Sequence, residues 1–360
     1  MINVDQLLCD VAFDPLISDL HLTVNSPPIV RINGDLQPLA RYESVLSYKQ
    51  LIEIAKYLMS EEQYREFEEK GEYDFSYSLE SVGRFRVNAY FQRGTVSLAL
   101  RVIPNKIPSI DDLGLPLVIK ELAMKKNGLI LCTGPTGSGK STTLASMLDL
   151  INCTRTCHII TLEDPIEYLH THKKSLIHQR EIGADTQSFA SGLRAALRQD
   201  PDVILVGEMR DLETISIALE AAETGHLVLA TLHTNNAPGA IDRIIDVFPP
   251  NQQQQIRIQL ATVIQGVIAQ QLVKRVDRRG RVAAVEVMVA TPAIRNLIRE
   301  NKAHQIYSVI QTGARFGMQT MDNCLIRLYR DGIISFEDGR AKAVNVEYFE
   351  RLARRPDQDF

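Results

Sequence analysis

Residues 128–143 read GLILCTGPTGSGKSTT, and this stretch decides the fold. A short apolar run, Leu129–Cys132, leads into a loop of the form GxxxxGK[ST]: Gly134, Pro135, Thr136, Gly137, Ser138, Gly139, Lys140 and Ser141. Behind the loop, Leu144, Met147 and Leu148 recur at helical spacing. Strand, glycine-rich loop and helix in that order make a phosphate cradle. The glycines let backbone N–H groups approach phosphate oxygens, and the helix N-terminus adds a favourable dipole. Lys140 is expected to reach the β- and γ-phosphates of ATP, and the Ser141 hydroxyl to ligate Mg2+. The whole loop, with Thr142 beyond it, forms the expected nucleotide-binding set.

Downstream, His158–Leu162, Val203–Val206 and Leu227–Thr231 are further short apolar runs, with helical segments between them. Buried strands with helical crossovers predict a largely parallel, doubly wound sheet. Such a sheet presents its strand ends to the ligand. Two of these strands end in acid. Glu163 and Asp164 follow the first, with Pro165 stopping it, and Glu208 follows the second. A carboxylate there can hold the water shell of Mg2+ or orient an attacking water. One such acid is usually a solvated loop residue; two of them behind a phosphate loop point to hydrolysis. Either could take either role, with Glu208 preferred for metal-bound water and Glu163 for activating the attacking water. His233, at the end of the third strand, can sense a γ-phosphate or move a proton; His226, before that strand, is the second candidate.

The first hundred residues differ in pattern. Strands are expected at Asp19–Val24 and Ile29–Ile32, the latter ending in the turn signal Asn33-Gly34. A helix is expected from Ser47 to about Lys70, closed by Gly71. Three alternating segments follow: Tyr73–Leu79, Arg84–Gln92 and Thr95–Ile103. Phe85, Val87 and Ala89 face one way and Arg84, Arg86 and Asn88 the other, which predicts a half-exposed antiparallel sheet with arginines on its open face. The expected organisation is thus a small α+β domain over 1–102, a Pro-rich linker over 103–116, and an α/β domain over 117–360 that turns helical from about Thr291.

A length of 360 residues, 45% of them hydrophobic, supports two such cores. A formal net charge of −4 gives no overall attraction to nucleic acid or to anionic lipid. The five cysteines form no CxxC pair, so structural zinc is not expected. The opening residues MINVDQLLCDVAFD lack a basic segment, and no apolar run approaches the roughly 20 residues that cross a bilayer. A soluble, intracellular protein is expected.

Four motifs in order carry a resemblance: the loop at 134–141, ITLEDPIE at 160–167, DVILVGE at 202–208 and TGHLVLATLHT at 224–234. With SDLHL at 18–22 and GRFRVNAY at 83–90, the chain resembles the secretion-type hexameric ATPases, and within them the type IV pilus retraction ATPases (the PilT family). The segment AIRNLIRE at 293–300 and GMQTMD at 317–322 are similar to the retraction group, whereas extension-type members carry two zinc-binding CxxC pairs. The resemblance implies a PAS-like α+β domain before a RecA-like P-loop domain with a mostly parallel sheet. It also implies ATP and Mg2+ as ligands, a homohexamer, an inner-membrane pilus platform protein as partner, and a place at the cytoplasmic face of that membrane. Arginines of the first domain then complete the ATP site; Arg86 and Arg101 match best, and Arg84 and Arg93 less well. Rival readings are an extension or type II secretion ATPase, and a RecA-like nucleic-acid translocase.

Overall fold

The computed structural model describes residues 3–14, 16–32, 35–80, 82–103, 106–278 and 280–354. The expected turn at Asn33-Gly34 and the linker residues Pro104 and Asn105 lie outside them. The chain forms two compact units, Met1–Lys106 with Glu167–Leu169, and Ile107–Ile166 with His170–Phe360.

The first unit contains α1 (Val4–Ala12), β1 (Ile17–Leu22), β2 (Ile29–Ile32), β3 (Asp35–Pro38), α2 (Tyr48–Leu58), α3 (Glu61–Lys70), β4 (Glu72–Leu79), β5 (Gly83–Gln92) and β6 (Thr95–Ile103). Its six strands form one antiparallel sheet in the order β3-β2-β1-β6-β5-β4. Phe85, Val87 and Ala89 are buried as their alternation predicts, in a core with Leu20, Leu98, Leu100, Leu51 and Phe67. Burying each such Leu or Phe contributes about 1.5–3 kcal/mol before entropy is counted. The single helix expected over Ser47–Lys70 is two helices. Ser60 breaks it: its side chain accepts from the Gln63 N–H while Gln63 returns a bond to the Ser60 N–H, so a new N-terminus outcompetes continuation. Arg93 and Gly94, at φ 50° and 73°, form the two-residue β5–β6 turn, so Arg93 serves the hairpin.

The second unit contains α4 (Leu117–Ala123), β7 (Gly128–Thr133), α5 (Lys140–Thr154), β8 (His158–Glu163), β9 (Leu176–Glu181), α6 (Phe189–Ala196), β10 (Val203–Val206), α7 (Leu212–Glu223) and β11 (Leu227–Leu232). It continues with α8 (Ala237–Asp246), α9 (Pro250–Val263), β12 (Ile264–Lys274), β13 (Arg281–Val289), α10 (Pro292–Arg299), α11 (Ile306–Thr312), α12 (Met321–Arg330), α13 (Phe336–Lys342) and α14 (Val346–Ala353). The sheet order is β13-β12-β7-β11-β10-β8-β9; every neighbouring pair is parallel except β12–β13. Along β7, Leu129 and Leu131 join one core, with α7, α8 and α9, while Ile130 and Cys132 join the other, with α4, α5 and α12. Both faces are therefore covered, which is why these strands read as unbroken apolar runs. The Pro-rich segment is not a free linker from Ile107 onward. Ile110 and Leu115 are buried in the second unit's core, and Pro108 O accepts from Ser146 Oγ at 2.7 Å.

Candidate active site

Parallel pairing brings the carboxyl ends of β7, β11, β10 and β8 to one edge of the sheet, in that order. The phosphate loop leaves β7 there. Gly134, Gly137 and Gly139 have φ of 147°, 76° and 89°, values open to glycine and strained for other residues. A Cβ on Gly134 would lie 2.3 Å from Gln270 O, and one on Gly139 would lie 2.6 Å from Gln270 Nε2. Close approach to β12 thus demands two of the loop's glycines. Lys140, buried at the first turn of α5, donates from Nζ to the carbonyls of Gly134 at 2.8 Å and Pro135 at 3.1 Å. Burial lowers its pKa, with Cys132 and Glu208 opposing. Ser138 Oγ is buried and finds no hydrogen-bond partner among the described residues. Pro135, Thr136, Gly137 and Ser141 are exposed.

The loop is tied to the third strand by Thr133, whose Oγ1 lies 2.6 Å from Thr234 Oγ1 and accepts from the Thr234 N–H at 2.9 Å. His233, beside it, approaches Glu208: Nε2 to Oε1 is 3.2 Å. Arg210 Nε donates to the same oxygen at 2.6 Å. Burial works against ionisation of Glu208, yet the bonds and charges of Arg210 and His233 prevail and its pKa is lowered. Glu163 closes β8, buried, and its Oε1 accepts from Thr161 Oγ1 at 2.6 Å and from Gln179 Nε2 at 3.2 Å. Glu208 follows the strand two places from β7, and Glu163 ends the strand three places away, on the order of 14 Å along the sheet.

His226 is not at this edge, which corrects the expectation of a second nucleotide-facing histidine. β11 pairs Leu227 with Gly128 and Leu232 with Thr133, so His226 sits at the opposite, amino-terminal edge, roughly 20 Å away by strand rise. Its Nδ1 lies 2.8 Å from Ala221 O, closing the turn after α7. Arg86 and Arg101 belong to the first unit, opposite each other on β5 and β6; Arg101 Nε donates to Asp19 Oδ1 at 2.9 Å. Arg84 donates to Ser78 Oγ at 3.4 Å.

Sequence reasoning missed Arg210, Gln179, Glu286 and Gln270. Arg210 stood two residues beyond Glu208 and was legible as a charge partner; the others act across the fold with no local signal. Glu286, buried on β13, accepts the Ala237 N–H at 2.8 Å and so caps the helix that follows His233. Among the described residues no helix is long and apolar enough to cross a membrane.

Residues 80–337 match the family model described as type II/IV secretion system protein. The chain is 51% identical over 332 residues to the type IV pilus retraction ATPase PilT of Pseudomonas aeruginosa, covering 92% of this chain and 96% of that one. It is 48% identical over 320 residues to a twitching motility protein of Neisseria gonorrhoeae, covering 89% and 85%. A crystal structure of the pilus retraction motor PilT with bound ADP matches at a TM-score of 0.90 and 50% identity, covering 98% of this chain and 100% of that one. With both units and the loop edge spanned by these matches, the chain belongs to the type II/IV secretion system protein family, among its pilus retraction ATPases.

Proposed function

We propose that this chain is an ATP-hydrolysing motor subunit that powers type IV pilus retraction. The observation that carries the chemistry is the meeting of the Lys140 loop with the Glu208–His233 pair at one sheet edge. The direction of the work is supported by near full-length similarity to retraction ATPases and by the AIRNLIRE helix.

The phosphates of ATP occupy the loop from Gly134 to Thr142, and the Lys140 ammonium exchanges its two carbonyl acceptors for β- and γ-phosphate oxygens. A desolvated ammonium gains more from an anion than from neutral carbonyls. Ser141 Oγ, and Glu208 through water, would hold Mg2+, which would offset the charge on the phosphates. Glu163 orients the attacking water. His233, tied to Glu208, senses the γ-phosphate. Arg86 and Arg101 supply guanidinium groups to the transferring phosphoryl. Six copies form a ring at the cytoplasmic face of the inner membrane, and its torque passes to a pilus platform protein.

Two measurements test the reading. Steady-state phosphate release should be lost in Lys140→Ala; equal rates for wild type and variant would sink the motor. A deletion strain should carry many long pili and fail to twitch, whereas a strain without pili would mean extension.

A further inference from the structure

Gln270 lies on β12, a strand that none of the nucleotide motifs includes. It is 2% exposed, and both ends of its side-chain amide are engaged. Nε2 donates to Ser138 O at 2.8 Å, and Oε1 accepts from Thr143 Oγ1 at 2.8 Å. Ser138 belongs to the loop and Thr143 to the first turn of α5, itself buried. The main-chain carbonyl of Gln270 faces Gly134, so one residue of β12 touches the start, the end and the sequel of the phosphate loop.

We propose that Gln270 is a positioning residue for nucleotide binding: it clamps the phosphate loop to the helix that follows, and so aims the loop's N–H groups. The inference rests on reading 134–141 as the phosphate site. A trans peptide points its C=O and N–H in opposite directions. Holding the Ser138 carbonyl toward β12 therefore turns the Gly139 N–H away from that strand. The bond to Thr143 fixes the rotation of α5, and with it the position of the Lys140 stem. An amide is the required chemistry because one end must donate and the other accept. A carboxylate can serve Thr143 but repels the Ser138 carbonyl.

The test uses the full chain with Mg-ATP and with ADP. Gln270→Glu is expected to raise the KM for ATP and the Kd for ADP about tenfold at pH 8, in line with loss of one buried hydrogen bond, with kcat changed less. A buried carboxyl titrates well above its solution value, so lowering the pH toward 6 restores an O–H donor to Ser138 and should recover affinity. Gln270→Leu, which keeps the bulk, should lose affinity with no recovery at low pH. A purely structural glutamine would give neither the pH-dependent recovery nor the difference between the two variants. Wild-type ADP affinity in Gln270→Glu at pH 8, or loss that low pH does not reverse, would overturn the proposal. Lys140→Ala is the control: if it keeps full ADP affinity, the loop reading itself fails, and if it loses affinity while Gln270→Glu does not, only the clamp fails.

Discussion

Arg86 and Arg101 stand directly opposite each other on neighbouring antiparallel strands, and Asp19, opposite Arg101 on the next strand, holds only the second of them at 2.9 Å. Like charges facing across a strand pair destabilise a sheet. Arg101 is exposed whereas the Asp19 side chain is mostly buried, and a pair open to water on one side offsets on the order of 1 kcal/mol at best. Arg86 is exposed on the open face.

This juxtaposition predicts that Arg86 serves activity at the expense of stability. Arg86→Gln should leave the melting temperature unchanged or slightly raised while cutting ATP turnover on the order of 1000-fold, the scale of a lost arginine finger. Lysine should not rescue it, since a point charge lacks the planar fork. A variant that melts lower and turns over normally would place Arg86 among the structural residues.

At the sheet edge, Glu208 is held by two partners, Arg210 at 2.6 Å and His233 at 3.2 Å. Glu208→Gln should retain ADP binding within a few fold and lose turnover by at least about 100-fold. Arg210→Ala removes the stronger bond and should let the carboxyl pKa rise. Isothermal titration with ADP beside phosphate release separates the two effects; unchanged turnover in Glu208→Gln would remove it from the mechanism.

The AIRNLIRE helix is α10, and the structure divides its arginines. Arg295 Nη1 donates to the carbonyls of Ala261 and Thr262 at 2.6 Å each, clamping α10 to the last turn of α9. Arg299 is exposed. Arg295→Ala should cost about 1.5–3 kcal/mol of stability, the range for charge-assisted bonds, and cannot report cleanly on a partner surface. Arg299→Ala should leave urea unfolding within about 0.5 kcal/mol of wild type. Loss of twitching in Arg299→Ala with ATP turnover intact is the expected result; intact twitching would show that the helix face is not an output surface.

His170 predicts how stability varies with pH. Burial pushes its imidazole pKa down to about 4 from the ordinary 6.5, and Nδ1 has no hydrogen-bond partner among the described residues. Between pH 6.5 and 4 the unfolded chain takes up a proton that the folded chain does not. Its contribution is therefore complete above pH 6.5 and lost as pH falls toward 4, by at most about 1.4 kcal/mol per pH unit. His170→Gln should flatten that slope in urea titrations at pH 7.5 and pH 5; parallel slopes would mean the imidazole titrates normally.

The parts of the fold that were legible share one property: their signal is local. Val203–Val206 and the loop at 134–141 are read from consecutive residues, and the exits at Glu163 and Glu208 follow from where apolar runs stop. β12 was missed because Gln265, Gly266, Gln270 and Gln271 interrupt its apolar run. β9 was missed as an edge strand, four of its six residues polar. The break at Ser60 was legible, since Ser60 and Gln63 spell a capping box, but the apolar periodicity ran across it. His226 was misplaced because a motif gives neighbours in sequence, and six residues of strand separate its two ends. Gln270 could not be found at all: a glutamine acquires its meaning only when β12 lies beside β7.

That adjacency also sets a timetable. Ser138 precedes its Gln270 partner by 132 residues, so the loop leaves the ribosome long before the strand that holds it. At roughly 5–20 residues per second the delay is on the order of ten seconds. Through that interval the growing chain carries every residue of its phosphate motif without the two side-chain bonds that Gln270 supplies. A subunit interrupted before β12 would have the motif in its sequence but would lack the amide that braces its loop against the following helix.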